Sequence, residues 1–119
     1  ETVEEKKTFS KAFRETRCVF PLSGFYEWDS EKRKLLFTSS ESDVFYLGGF
    51  YRIHKTGAGF ETESIIMTTK PNESVSSIHD HMPLIIQKDH IEKWITELDF
   101  ARNYLTAGMP ELCRTEVTK

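Results

Sequence analysis

Little in this sequence points outward. No apolar run is long enough to cross a bilayer and none reads as a signal peptide, so neither a membrane protein nor an exported one is expected. Basic residues do not outnumber acidic ones. The formal charge is −3, which gives no bulk-charge basis for non-specific nucleic-acid binding. Cysteine is scarce: Cys18 and Cys113 lie in or near apolar runs without metal-type spacing. They are expected to be reduced core residues, which points to the cytoplasm. No G-x-S-x-G occurs, so the nucleophile elbow of a Ser/His/Asp hydrolase is missing. Repeats, low-complexity segments and long linkers are also lacking. The initiator Met is absent, and both ends look cut: Glu1 opens directly into a helix signal, and Lys119 follows what reads as a strand. A piece of a larger domain is therefore the expectation.

What remains is a globular chain of 119 residues, one domain's worth, with 38% hydrophobic and 29% charged residues. Aromatics reach 13%, nine of them Phe, so rings must supply much of the burial. Thr2-Val3-Glu4-Glu5 has the capping-box pattern, and Phe9, Ala12 and Phe13 follow at i, i+3 and i+4. That predicts a helix from Thr2 to about Glu15, with Lys6, Lys7, Lys11 and Arg14 on a solvated face or, less simply, an anion-binding one. Residues 16–22 read as a strand carrying Pro21 and breaking at Ser23-Gly24. Such a strand is an edge, a bend or a place of close backbone approach.

Further strands are expected at Leu35-Leu36-Phe37, at Val44 to Tyr51 and at Phe60 to Thr69. The Gly48-Gly49 pair suggests a bulge or a close contact, His54 to Gly59 a loop, and Ile65-Ile66-Met67 burial on both faces. Pro71 opens a short helical turn over Asn72 to Ile78. Asp89 with Glu92 reads as a cap for the clearest helix, whose stripe is Ile91, Trp94, Ile95 and Leu98. Asp99 starts another helix, which Gly108 stops, and Leu112 to Val117 closes the chain as a strand. The class is α+β: several short, mainly antiparallel strands with peripheral helices.

Chemistry needs a titratable group in an unusual setting. Glu27, alone between Tyr26 and Trp28, is one: apolar neighbours would raise its pKa toward the range useful for proton transfer. A bent core strand whose Glu pairs locally is the plain alternative. His79-Asp80-His81 is the second. On a strand His79 and His81 would share a face, and a metal site could use that pair, but neither His54 nor His90 stands at a spacing that supplies more ligands. A Cys/His nucleophile built on Cys18 has no visible electropositive support. A Glu/His acid–base pair is the best of these.

Two blocks then carry a resemblance. Gly24-Phe25-Tyr26-Glu27-Trp28 resembles the G-F-Y-E-W block of the SRAP (SOS-response-associated peptidase) family, and Glu1-Thr2 resembles the E-T after that family's N-x-R motif. Lys70-Pro71-Asn72-Glu73 with Ile78-His79-Asp80-His81-Met82-Pro83-Leu84-Ile85-Ile86 resembles its second block, ordinarily I-H-D-R-M-P-V-I-L. Order and spacing match from Glu1 to about Val117, so residues 1–119 are expected to be a partial SRAP domain, its C-terminal two-thirds.

That resemblance implies recognition of abasic sites in single-stranded DNA, as a repair or SOS-response factor, cytoplasmic and at the nucleoid during damage. It implies a covalent link in which the amine and thiol of an N-terminal cysteine close a thiazolidine on the ring-opened sugar aldehyde, and self-processing that exposes this cysteine. No cofactor and no metal is called for. Glu27 would take the carboxylate role and His79 the histidine role. Lys7, Thr68, His81 and Trp28 would contact DNA, and Gly24 would let the chain bend so that Glu27 reaches the site. Three departures stand out: residue 1 is Glu rather than Cys, the N-x-R motif and a Trp-rich segment are absent, and His81 replaces an Arg. Imidazole offers no bidentate fork, so the phosphate grip there should be weaker. Leu22-Ser23 also stands where the family has A-D. The chain alone should then not crosslink unless a missing N-terminal segment or a second chain completes the domain. Two alternatives remain at this point: a degenerate or split relative binding DNA non-covalently, and an unrelated small α+β acid–base enzyme acting on a sugar or aldehyde.

Overall fold

Strand pairing, rather than helix packing, frames the molecule. The computed structural model describes residues 3–76 and 81–117. In order these form helix α1 (Val3–Glu15) and strands β1 (Arg17–Leu22), β2 (Phe25–Trp28), β3 (Lys34–Ser39), β4 (Phe45–Thr56), β5 (Gly59–Ile66) and β6 (Thr68–Thr69). Helix α2 (Glu73–Ser76), β7 (Met82–Pro83), β8 (Ile85–Ile86), α3 (Ile91–Thr96), α4 (Leu98–Tyr104) and β9 (Leu112–Glu116) follow. All pairings among the described residues are antiparallel, in sheets ordered β1-β4-β5 with β8 beside β4, β2-β3-β9, and β6-β7. The α+β class expected from the sequence is the one found.

The long strand β4 separates two cores. Alternation along a strand sends successive side chains to opposite faces. Phe45 and Leu47 meet Leu35, Phe37 and Leu112 of the β2-β3-β9 sheet, with Val75, Met82 and Ile85 completing that cluster. On the other face, Phe50 packs edge-on against Phe9 and Phe13 of α1. There Trp94, fully buried, joins Leu84, Ile86, Ala101 and Tyr104 in the second cluster. The apolar stripe on α1 and the burial of Trp94 are as the spacing predicts.

β1 is an edge strand, which explains Pro21: it has no N–H to donate, and an edge tolerates that. Gly48-Gly49 is a close approach and not a bulge, for the register runs unbroken through both. A Cβ at Gly49 would lie 2.1 Å from the carbonyl oxygen of Ile65, and one at Gly48 would lie 2.9 Å from Ile86 Cδ1.

Several boundaries differ from those expected. His54, Lys55 and Thr56 continue β4 instead of forming a loop, because β5 pairs with them through a hairpin whose turn is only Gly57-Ala58. Ile66 is 47% exposed, so burial on both faces fails there. Asp89 lies in a 3-10 turn (Lys88–His90) and caps nothing through its side chain. Glu97 is extended and breaks the helix before Leu98, which opens α4. Both cysteines are free as expected, but Cys113 is exposed, since it points outward from the edge strand β9. The Thr2 cap and the end of the predicted 72–78 helical turn lie outside the described residues.

Candidate functional site

The β2-β3 hairpin builds the site's best-defined part. Phe25 stacks on Phe37 at 5.3 Å and meets Phe45 edge-on at 5.9 Å, which seats the start of β2 on the first core. Gly24 permits this by close approach: a Cβ there would lie 2.8 Å from the Phe37 carbonyl oxygen. At the other end Asp29 fixes the turn. Its Oδ1 accepts the backbone N–H groups of Glu31 and Arg33, both at 2.9 Å, and its Oδ2 accepts Arg33 Nε at 2.7 Å. The Arg33 amide and then its guanidinium hold the Asp29 carboxyl below the usual carboxylate range. Lys32 takes the left-handed conformation (φ 64°) that closes the turn.

Between these anchors, Glu27 shares the inward face of β2 with Phe25 and lies half-buried opposite Leu35. Tyr26 and Trp28 point the other way, 49% and 54% exposed. Lys34 Nζ sits 4.2 Å from the Tyr26 ring and 5.7 Å from that of Trp28, a cation–π arrangement that holds the two rings as one platform. Glu27 and Trp28 are therefore neighbours in sequence on opposite faces of one strand. Among the described residues β2 is the edge of its sheet, so both faces meet at that border.

Thr68 and His81 lie elsewhere, at opposite ends of one short ladder. The β6-β7 ladder pairs Thr68 with Pro83 and Thr69 with Met82, which leaves His81 just beyond its end. Thr68 and His81 are both exposed. Of the Thr pair, Thr69 is committed to structure, its hydroxyl donating to the Leu105 carbonyl at 3.2 Å. Lys7 belongs to α1, which packs on the face of β4 opposite the one that meets β2 and β3. The Lys7 side chain lies outside the described residues. His79 and Asp80 lie outside the described residues. Among the described residues, no three His, Cys, Asp or Glu side chains come together as metal ligands would.

Sequence reasoning passed over two anchors. Asn72 Nδ2 donates to the carbonyls of Met109 (3.2 Å) and Pro110 (2.7 Å), and the Asn72 carbonyl accepts the amides of Val75 and Ser76. It ties the segment leading toward His79 to the loop before β9. Arg17, only 6% exposed, donates to the carbonyls of Trp94 (2.5 Å), Phe13 (2.7 Å), Arg14 (3.1 Å) and Ile95 (3.1 Å). These are orphan carbonyls at the C-terminal ends of α1 and α3, where a cation is favoured. Burial, and then Arg102, push its pKa down. The Pro-Asn pair was at least a visible signal, whereas a lone Arg opening a strand is not.

With this geometry in place, comparison identifies the class. The sequence matches the SOS response associated peptidase (SRAP) family over residues 1–117, and the chain belongs to that family. Membership removes the unrelated-enzyme alternative. Among curated relatives, the abasic site processing protein YoaM of Bacillus subtilis is 34% identical over 110 residues, covering 88% of this chain and 48% of its own length. The abasic site processing protein YoqW of the same species is 33% identical, with 88% and 49% covered. The chain thus spans about half the length of the curated relatives it matches. A crystal structure of a Bacteroides thetaiotaomicron protein superimposes with a TM-score of 0.82 at 22% identity, over 98% of this chain and 56% of that one. One from Bordetella bronchiseptica gives 0.81 at 18%, over 94% and 60%. At those identities the likeness is one of fold.

Proposed function

We propose that the protein carrying this chain recognises abasic sites in single-stranded DNA and links to them covalently, with Glu27 and His79 as its acid–base pair. The relatives' names support the substrate, and what supports the pair is the setting of the residues that flank His79 in the chain. His79 follows Val75 by four residues and precedes Met82 by three, and both anchors are buried in the cluster that holds Leu35, the cross-strand partner of Glu27.

In this reading Glu27 and His79 move the protons that open the sugar and expose its aldehyde. An α-amine adds to the carbonyl carbon, water leaves, and the thiol of the same residue closes a five-membered thiazolidine. Neither Cys18 nor Cys113 can do this, since neither carries a free amine. That residue comes from the part of the domain this chain does not span, which also self-processes to expose it. The hairpin supports an incomplete domain. Tyr51, Ile53, Phe60 and Ile66 continue the core-facing side of β4 and β5, yet Ile53 is 61% and Phe60 75% exposed. A missing N-terminal segment is the natural cover. Thr68, His81 and Lys7 contact phosphates, and Trp28 stacks on a base.

The test is a denaturing gel. Full-length protein mixed with an abasic single-stranded oligonucleotide should give a shifted band that survives denaturation, whereas an intact oligonucleotide should give none. Residues 1–119 alone should give no band with either. Equal shifts with intact DNA would end the abasic-site reading, and a band from residues 1–119 alone would end the incomplete-domain one.

A further inference from the structure

A second surface lies at the far end of the β2-β3-β9 sheet. Ser39 is four residues on from Leu35, the partner of Glu27, which is about 13 Å along a strand. There the loop Ser40–Val44, the segment after β8 and the start of β9 enclose an open groove of about 750 Å³, within the size range of ligand sites. Its floor is apolar. Phe45, Ile85, Ile86 and Leu112 of the two cores line its base, each buried, and Val44, 39% exposed, presents apolar surface above them. Its rim is acidic: Glu41, Asp43, Asp89 and Glu111 are all exposed, and Lys88 is the single cation among the lining residues.

None of the four carboxylates forms an ion pair among the described residues. The rim is also shaped before anything binds. Ser39 Oγ accepts the amides of Glu41 (3.1 Å) and Ser42 (3.2 Å), Ser42 Oγ donates to the Val44 carbonyl, and Ser40 Oγ donates to the Glu111 carbonyl at 3.3 Å. These bonds tie the loop to itself and to the entry of β9.

An apolar floor under an uncompensated acidic rim repels a phosphate backbone and favours the opposite chemistry. We propose that this groove docks an extended, lysine- or arginine-bearing peptide segment of a partner protein, with an apolar side chain seated on the floor beside Val44. Such docking leaves the edge of β2 free for nucleic acid, and it does not depend on the function proposed above.

The test uses full-length protein and a fluorescein-labelled Lys-Leu-Lys-Phe-Lys-Leu-Lys peptide, with Glu-Leu-Glu-Phe-Glu-Leu-Glu as its counterpart. The cationic peptide should bind with micromolar affinity in low salt, and its amide shifts should map to residues 40–46, 85–89 and 111–112. Neutralising the rim (Glu41→Gln, Asp43→Asn, Asp89→Asn, Glu111→Gln) should weaken binding at least tenfold without changing the melting temperature. The Asp89→Asn/Glu111→Gln pair, away from the serine loop, should weaken it about threefold. Several results would overturn the proposal: no binding at millimolar peptide, equal binding of the acidic peptide, affinity unchanged by either variant, or shifts confined to Tyr26–Trp28. A protein dimer that the rim variant dissociates would assign the groove to a second copy instead. If the groove is shielded from peptide until residues upstream of Glu1 are removed, its occupant is the protein's own chain, which also overturns it.

Discussion

The two faces of β4 solve different problems. On the helix side the buried polar groups are answered: the Trp94 indole donates to the Cys18 carbonyl at 2.9 Å, Arg17 satisfies four carbonyls, and the Tyr104 hydroxyl accepts the Gln87 amide at 3.1 Å. On the sheet side a carboxylate lies half-buried in apolar company, two aromatic rings face solvent, and the hairpin leaves Ile53 and Phe60 bare. The closed side is organised for stability and the open side for contact. Substitutions in the buried cluster of the helix side should cost stability, while those at the half-buried and exposed positions of the sheet side, outside the core around Phe37 and Leu47, should leave the protein folded.

The largest separation should come from Glu27→Gln. It keeps the shape and removes the titratable oxygen, so under the proposed role of Glu27 crosslinking to abasic DNA should slow about 10²–10⁴-fold, the usual worth of a general acid–base group. Thermal stability should barely move. A variant that unfolds would make Glu27 structural and erase the contrast.

Trp94→Ala should do the reverse, costing about 3–5 kcal/mol of stability by denaturant titration through lost burial and a cavity. Arg17→Ala strands carbonyls at two helix ends and empties the space of a buried side chain, for about 2–3 kcal/mol. Arg17→Lys should recover only part of this, since an ammonium lacks the planar fork that reaches all four. Loss of crosslinking in either variant at a temperature where it remains folded would blur the division.

Asp29 sharpens the comparison through pH. Its carboxyl is held below the ordinary value of 3.8, chiefly by the Arg33 amide. A group depressed on folding stabilises above its unfolded pKa, and that contribution fades as pH falls through the lower folded value. Wild type should therefore exceed Asp29→Asn in β2-β3 hairpin protection, read by hydrogen exchange, by a constant margin above about pH 4 that closes below it. A margin that grows on acidification would contradict the assignment. The smallest effect is expected at the bare hairpin: in residues 1–119 alone, Phe60→Ser should change stability by no more than about 0.5 kcal/mol.

Local pattern made the folded frame legible wherever it coincided with the element's own period. The Phe9-Ala12-Phe13 stripe found its helix, Pro21 allowed an edge among its three readings, and Gly48-Gly49 left a bulge or a close approach, of which the structure has the second. What stayed hidden depends on partners distant in sequence. His54 to Thr56 is too polar to read as strand until β5 lies beside it, Asp89 offers a cap that the 3-10 turn does not use, and nothing local shows Arg17 reaching α3. At the candidate site the letters around Glu27 named a family. Strand alternation then added what letters cannot, that Glu27 and Trp28 face opposite ways. Lys34, which bridges Tyr26 and Trp28, carried no signal until the register paired it with Trp28.

The most direct measurement is a double-mutant cycle on crosslinking rate in full-length protein, using Glu27→Gln, His79→Gln and both together. Two groups serving one proton-transfer step act as a unit, so their losses do not multiply. The double variant should be about as slow as the slower single one. If the two losses multiply in full, or if either single variant crosslinks at the wild-type rate, Glu27 and His79 do not share a site.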